Sequence, residues 1–452
     1  MAFKSINPAT GEEIATYPAH DAADIDRLLQ RAWDTWRSWS QEPASVRAAF
    51  LERLAGLLEE RADRYAALIT SEMGKLVGEA RNEVVKAAGG ARHFAAQGQE
   101  YLRDEAIPGT PGKVVYQSLG PLFGVMPWNL PFWQVLRFFI PAAMAGNVVL
   151  VKHADSVQGS ARAIEELVRD AGGPDGLYTN LAIRRDAVPG IIADPRIRAV
   201  TVTGSTGAGR AVAEAAGAHG KKAVLELGGS DPFIIFEDAD FEKAVKLGIV
   251  SRFSNNAQSC IAAKRFIVAR PIYDRYVRAY AEAANALPVG DPMSADTRLG
   301  PLAKADLIAT TRRQIADAQA AGGHVIAGGD KLDRPGNYFA PTVITGLDPN
   351  AAIAQEEFFG PVALMFPFDT EDEAIALANA TEYGLGGAVW SSDAEKAARV
   401  AGRLEAGAVF INDFVRSDAR APFGGVKGSG FGRELGALGA RELTNAKLVW
   451  TA

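Results

Sequence analysis

The chain holds one cysteine, Cys260, in Asn255-Asn256-Ala257-Gln258-Ser259-Cys260-Ile261. A lone thiol supports neither an internal disulfide nor a multi-cysteine metal site, so it is either a small buried hydrophobe or a nucleophile. Other segments carry groups suited to work on a carbonyl. In Met126-Pro127-Trp128-Asn129-Leu130-Pro131 two prolines fix a turn, and the Asn129 amide either donates to an oxyanion or bonds its own backbone. Glu226, before Gly228-Gly229, is a solvated strand end or, if burial raises its pKa, a base that activates water. Gly204-Ser205-Thr206-Gly207-Ala208-Gly209 follows an apolar run and opens a helix, where free amides suit an anion. Its glycines fall at positions one, four and six, which is not the dinucleotide fingerprint, so an ordinary glycine-rich turn fits as well. Downstream, Glu356-Glu357-Phe358-Phe359-Gly360-Pro361 offers two adjacent acids between which spacing does not choose.

These groups need a scaffold. A chain of 452 residues exceeds what one hydrophobic core supports, so two or three domains are expected. The first hundred residues read as helix, over 24–38, 44–73 and 75–101. The stretch 113–119 alternates like an exposed strand. From Leu122, candidate strands at 123–127, 147–152, 199–203, 223–227 and 232–236 alternate with helices at 159–171 and 207–216. That pattern predicts an α/β fold with a mostly parallel, doubly wound sheet. Lys152 and Glu226 then end strands, where such sheets bind ligands. A second α/β series follows Cys260: strand 265–269, helices 273–287 and 307–322, strands near Val325, Val343 and Val362, helix 371–380, strand 387–390, helix 394–404 and strand 408–412. The tail 443–450 is a further strand candidate; paired with 113–119 it would give edges suited to joining subunits.

Composition narrows the function classes. The net charge of −6 is spread without a basic block, so nucleic acid is not an expected partner. The longest uncharged run, between Arg137 and Lys152, is too short to span a bilayer and contains Pro141 and Asn147. No apolar leader is visible, and with one cysteine a reducing cytoplasm is the expected location. The five histidines are scattered without ligand spacing, so no metal is expected.

Together and in this order, Pro127-Trp128-Asn129, the glycine-rich turn, Leu225-Glu226-Leu227-Gly228-Gly229, Cys260 and Glu357-Phe358-Phe359-Gly360-Pro361 resemble the NAD(P)-dependent aldehyde dehydrogenase superfamily over essentially the whole chain. The resemblance implies that Cys260 attacks an aldehyde as a thiolate, that Asn129 and the Cys260 amide hold the oxyanion, and that Glu226 activates water against the resulting thioester. It implies cofactor contacts at Trp128, Lys152, Asp155, Gly204, Ser205, Gly209, Leu227, Glu357 and Phe359, with Glu357 on the nicotinamide ribose and Lys152 on the adenosine ribose. Asp155 would accept ribose hydrogen bonds and repel a 2′-phosphate, so NAD is expected ahead of NADP, with NADP possible as cofactor. The implied division is an aldehyde-dehydrogenase-like fold: a cofactor domain from 1–108 and 122–228, a catalytic α/β domain from 229–430, and a small β oligomerisation element from 109–121 and 431–452. A homodimer or homotetramer is expected.

Three features bear on the aldehyde. Arg137 is the only charge in a long apolar stretch and needs an anionic partner, either a substrate carboxylate or an internal acid. Ser259 precedes the nucleophile, and Ser417 lies just before Phe423-Gly424-Gly425. With Glu226-Leu227-Gly228-Gly229-Ser230-Asp231-Pro232-Phe233, these resemble one subgroup, the bacterial succinate-semialdehyde dehydrogenases. That resemblance implies a carboxylate-bearing aldehyde held by Arg137 and Ser417. Glutarate semialdehyde or a plain aliphatic aldehyde is the nearest alternative. Acyl transfer to coenzyme A is disfavoured by Glu226, and an inactive scaffold by the retention of Cys260, Asn129, Glu226 and Glu357. Some relatives use a second cysteine as an oxidative switch; this chain has none.

Overall fold

The alternating strands and helices after Leu119 fold, in the computed structural model, into a five-stranded parallel sheet; the structure describes residues 2–451. The spatial order is Tyr178–Asn180, Val148–Lys152, Pro121–Val125, Ala199–Thr203 and Lys222–Glu226. These strands are buried almost throughout, as Val-rich runs covered on both faces require. The chain starts in the middle, steps to one edge, then returns to the far side of its first strand. A switch point therefore opens between Pro121–Val125 and Ala199–Thr203, and ligands bind outside the carboxyl ends of strands at such a point. Trp128-Asn129 and Gly204-Ser205 emerge there, and Lys152 and Glu226 end the flanking strands.

A seven-stranded sheet follows in the order His324–Ala327, Thr342–Thr345, Val362–Phe368, Ala263–Ala269, Asp231–Ile235, Gly386–Trp390 and Ala408–Ile411. Only the His324–Ala327 edge runs antiparallel. The tail strand Thr444–Trp450 pairs antiparallel with Gly112–Ser118 along its whole length, with Trp450 opposite Gly112. Its other edge is unpaired among the described residues, and Leu448 and Trp450 lie exposed.

Several elements depart from expectation. Residues 2–18 are not helical: Ala2–Ile6 and Glu13–Pro18 form a hairpin that turns Phe3 and Ser5 inward. Its two-residue period is too short to stand out beside the long helices that follow. The run 44–73 is two helices, Ala44–Glu60 and Ala62–Met73, broken at Arg61 (φ −102°, ψ 13°) with no Gly or Pro to mark the break. Helix Trp133–Met144 was legible only as an apolar run; every residue of it is buried, Arg137 included. Helix Phe241–Phe253, absent from the sequence reading, delivers the chain to the segment around Cys260. No helix among the described residues is long and apolar enough to cross a membrane.

Candidate active site

The approach to Cys260 is held in a conformation that side chains rarely adopt. Asn255, Asn256 and Ala257 have φ of 56°, 52° and 63°. Left-handed backbone at a non-glycine residue costs on the order of 1–3 kcal/mol and persists only where the surroundings impose it. Here they do. Asn256 Nδ2 donates to the carbonyls of Gly74 (2.7 Å) and Pro301 (2.9 Å), and its Oδ1 accepts from Gly300 N. Asn255 N donates to Glu79, and Asn255 Nδ2 donates to the carbonyls of Asn129 (3.0 Å) and Gln258 (2.9 Å). Gln258 Oε1 accepts from Ala303 N. Arg252, fully buried, donates to the carbonyls of Ala257, Phe358, Gly360 and Val362, so one guanidinium ties this segment to the loop carrying Glu357.

Two cavities meet at Cys260. One is lined by Trp128, Asn129, Gly204, Ser205, Glu357 and Phe359; the other by Lys86, Trp133, Arg137, Ser259, Ser417 and Phe423. Cys260 and Gln134 border both, so the sulfur is reachable from two sides. Asn129 Nδ2 donates to the Gln258 carbonyl at 2.9 Å, which leaves its second amide hydrogen available. The Cys260 N–H has no protein acceptor among the described residues. Lys264 Nζ donates to the carbonyls of Cys260 (2.7 Å) and Ser259 (2.9 Å), fixing the peptide that follows the sulfur. Burial pushes the Cys260 thiol up to about 12, against the pull of Arg137 and Lys264. Burial thus favours the neutral thiol over the thiolate.

Glu226 lies one layer back. It borders neither cavity, and both its carboxylate oxygens are buried without a hydrogen-bond partner among the described residues. Burial, then the neighbouring Glu434 carboxylate, hold its pKa well above the usual range, while Arg137 and Arg433 oppose them. Arg137 has found an internal acid: its Nε donates to Glu434 in a buried ion pair, and its guanidinium lies over the Phe423 ring, 4.6 Å from the centroid. Of the two partners open to Arg137 on sequence grounds, the structure supplies the protein one.

The first cavity suits the nicotinamide end of a dinucleotide. Phe359 packs edge-on against Trp128 (5.8 Å, 90°) beside Cys260, making an apolar slot for a flat ring. Glu357 Oε1 accepts from Gly229 N at 3.1 Å with Lys264 at 3.5 Å, leaving Oε2 for a ribose hydroxyl. Gly228 is needed, because a Cβ there would fall 2.5 Å from Glu357 Oε2. At Gly209 a side chain would collide with Leu227, so this glycine seats helix Thr206–Ala218 on that residue. The helix begins at the N-cap Ser205, whose Oγ accepts from Ala208 N, and Gly204 and Ser205 line the same cavity. Lys152 and Asp155 stand outside this cavity and pair with each other at 2.8 Å. Lys304 lies 5.5 Å from the Trp128 ring centroid, and Asp155, Lys152 and Arg185 act on it electrostatically. The Asp155 carboxylate thus already has a cation as its partner.

Lys86, Gln134, Arg252, Lys264 and Glu434 were not singled out from the sequence. Lys264 follows Cys260 by four residues and could have been weighed; the others carry no local signal, since distant segments bring them in.

The aldehyde dehydrogenase family model matches residues 1–449. The chain is 47% identical over 449 residues to a succinate-semialdehyde dehydrogenase (NADP+) of Deinococcus radiodurans, covering 99% of this chain and 94% of that one. It is 44% identical over 458 residues to a Mycobacterium avium protein of the same name, with coverages of 100% and 97%. It superposes on a crystal structure of succinic semialdehyde dehydrogenase from Streptococcus pyogenes in complex with NADP+ with a TM-score of 0.97, at 38% identity and full coverage of both chains.

Proposed function

The chain belongs to the aldehyde dehydrogenase family, and from that premise we propose that it oxidises succinate semialdehyde to succinate with NADP as well as NAD. The observation that carries this reading is a single sulfur at the junction of two cavities, one suited to a dinucleotide and one lined by cations and hydroxyls. Cys260 Sγ, having given its proton to solvent, adds as a thiolate to the aldehyde carbon, and the carbonyl oxygen becomes an oxyanion. The oxygen of the thiohemiacetal takes hydrogen bonds from Asn129 Nδ2 and the Cys260 amide. The bound cofactor supplies the acceptor for the hydride lost from that carbon, which leaves a thioester on Cys260. Glu226 then takes a proton from water as it attacks the thioester, releasing the acid and the free thiol. To do so its side chain must swing from Glu434 towards Cys260, and no hydrogen bond holds it back.

NADP enters because the relatives' names specify it and because the Lys152–Asp155 pair weakens the repulsion a bare carboxylate would exert on a 2′-phosphate. The division into a cofactor domain (1–108 and 122–228), a catalytic domain (229–430) and an oligomerisation element (109–121 and 431–452) is part of the same reading. The chain acts as a homodimer or homotetramer in a reducing compartment. The exposed Leu448 and Trp450 on an unpaired edge strand support assembly.

The test is a kcat/KM panel with succinate semialdehyde, glutarate semialdehyde and neutral aldehydes of matched length, each with NADP and NAD. Succinate semialdehyde should lead, and Cys260→Ala should abolish turnover while still binding cofactor. An active Cys260→Ala variant would overturn the mechanism; preference for a neutral aldehyde would overturn the substrate.

A further inference from the structure

Independently of the aldehyde chemistry, we infer that the chain carries a second site, for a small zwitterionic amino acid. It lies between helix Ala22–Trp39, helix Gln158–Asp170 and the edge strand Tyr178–Asn180. A cavity of about 230 Å³ opens there, and its lining includes His20, Arg31, Glu165, Asp175, Tyr178 and Asn180. One water needs only about 10–15 Å³, so the space admits a small molecule.

The polar groups of this cavity do not satisfy one another. Tyr178 and Asn180 are 3% and 4% exposed, and the Tyr178 hydroxyl and Asn180 Oδ1 are buried without a partner among the described residues. The same holds for His20 Nδ1 and Arg31 Nε. Buried polar groups are normally paired, because an unpaired one loses its hydration for nothing in return. Four such atoms at one cavity call for an occupant that both donates and accepts: Asn180 Oδ1 needs a donor, and Arg31 Nε needs an acceptor.

The charges choose its class. Glu165 has no cation within 4 Å among the described residues, and its Oε1 accepts only from Asn180 N, at 3.2 Å. Burial holds its pKa above the ordinary carboxylate value, against the Asn180 amide and Arg31. An ammonium group beside Glu165 and Asn180 Oδ1 would restore its charge. Arg31 holds Asp175 through Nη1 at 3.0 Å, which leaves the Nε edge of the guanidinium for a carboxylate. A bare cation would meet Arg31 uncompensated, and a bare anion would meet Glu165. A molecule with an ammonium at one end and a carboxylate at the other answers both.

The walls are fixed in advance. Thr35 Oγ1 donates to the Asp175 carbonyl at 2.6 Å, and His20 N donates to the Ala182 carbonyl at 2.8 Å. Gly176, at φ 90°, lets the loop close on the helix, since a Cβ there would lie 2.7 Å from Thr35 Oγ1. The site is on the outer edge of the five-stranded sheet, where Asn180 pairs with Val151, the residue before Lys152. None of its lining borders either cavity at Cys260.

Glycine and β-alanine, which differ in the spacing of their two charges, are the probes, with acetate and methylammonium carrying one charge each. Binding is read by calorimetry and saturation-transfer NMR on the full chain. At least one of the two zwitterions should bind about tenfold or more tightly than either half-ligand. Glu165→Gln, which keeps the shape and the bond from Asn180, should weaken that binding by about tenfold or more, and so should Arg31→Met. Turnover of the aldehyde without the ligand should stay at the wild-type rate in Glu165→Gln, which shows that the variant is folded. Failure of both zwitterions to bind wild type, as expected of a cavity that holds water alone, would overturn the inference. So would binding that Glu165→Gln leaves unchanged, or a half-ligand that binds as tightly as the zwitterion.

Discussion

Replacing Glu434 by glutamine should move the acidic limb of the kcat profile to lower pH. Glu226 and Glu434 are buried together beside Arg137, and the Glu434 carboxylate acts on Glu226 more strongly than either Arg137 or Arg433. Burial and mutual repulsion therefore favour keeping a proton on the pair. The substituted amide keeps the shape and can still accept from Arg137, but it removes one of the like charges. At an effective dielectric constant of ~20, unit charges about 5–10 Å apart repel by ~1.7–3.3 kcal/mol. Divided by 1.36 kcal/mol per unit, this is about one to two pKa units. The sign follows from the role: Glu226 works deprotonated, so the rate rises with pH through its pKa, and a lowered pKa shifts that rise towards acid. The assay is steady-state kcat against pH, with a rapid-mixing burst to verify that deacylation limits turnover. A limb that stays in place, or moves towards alkali, would refute the idea that Glu434 raises the Glu226 pKa.

Three further outcomes are expected. Glu226→Gln should give a burst of reduced cofactor and then a steady rate lowered by roughly 10²- to 10⁴-fold, read by stopped-flow absorbance; an unchanged steady rate would remove Glu226 as the base. Asp155→Ser should shift the ratio of kcat/KM towards NADP by about tenfold, since it removes a negative charge beside Lys152; an unchanged ratio would mean that the pair with Lys152 already silences it. Ala257→Val should destabilise the fold by more than about 1 kcal/mol, because a branched side chain is placed at φ 63° in a buried position. Chemical denaturation would measure this, and a neutral result would show that the segment relaxes.

The alternation of short apolar runs with helices made the parallel sheet legible, because strands buried on both faces must be apolar throughout, and their carboxyl ends then marked where Lys152 and Glu226 stand. The single cysteine and the motif around it were legible for the opposite reason: they are local and chemically singular. What escaped was everything assembled from a distance. Nothing near Arg137 names Glu434, which lies 297 residues away. Lys86 lies in the helical run 75–101 with no local mark to set it apart, and only the fold brings it to Ser417, 331 residues on. The left-handed run at 255–257 was equally hidden, because asparagine and alanine carry no obligation to adopt it.

The guanidinium of Arg252 has a consequence for how this enzyme can vary. By gripping carbonyls on both sides, it makes the nucleophile's approach and the Glu357 loop a single mechanical part. A shift that loosens the grip on the nucleotide should therefore also misalign the sulfur, so the two functions cannot drift apart independently. Lysine at this place would keep the charge but offer three hydrogens from one atom, too few directions to clasp four carbonyls. Adaptation to new aldehydes is accordingly freest on the opposite wall, among Lys86, Ser417 and their neighbours, which Arg252 does not touch.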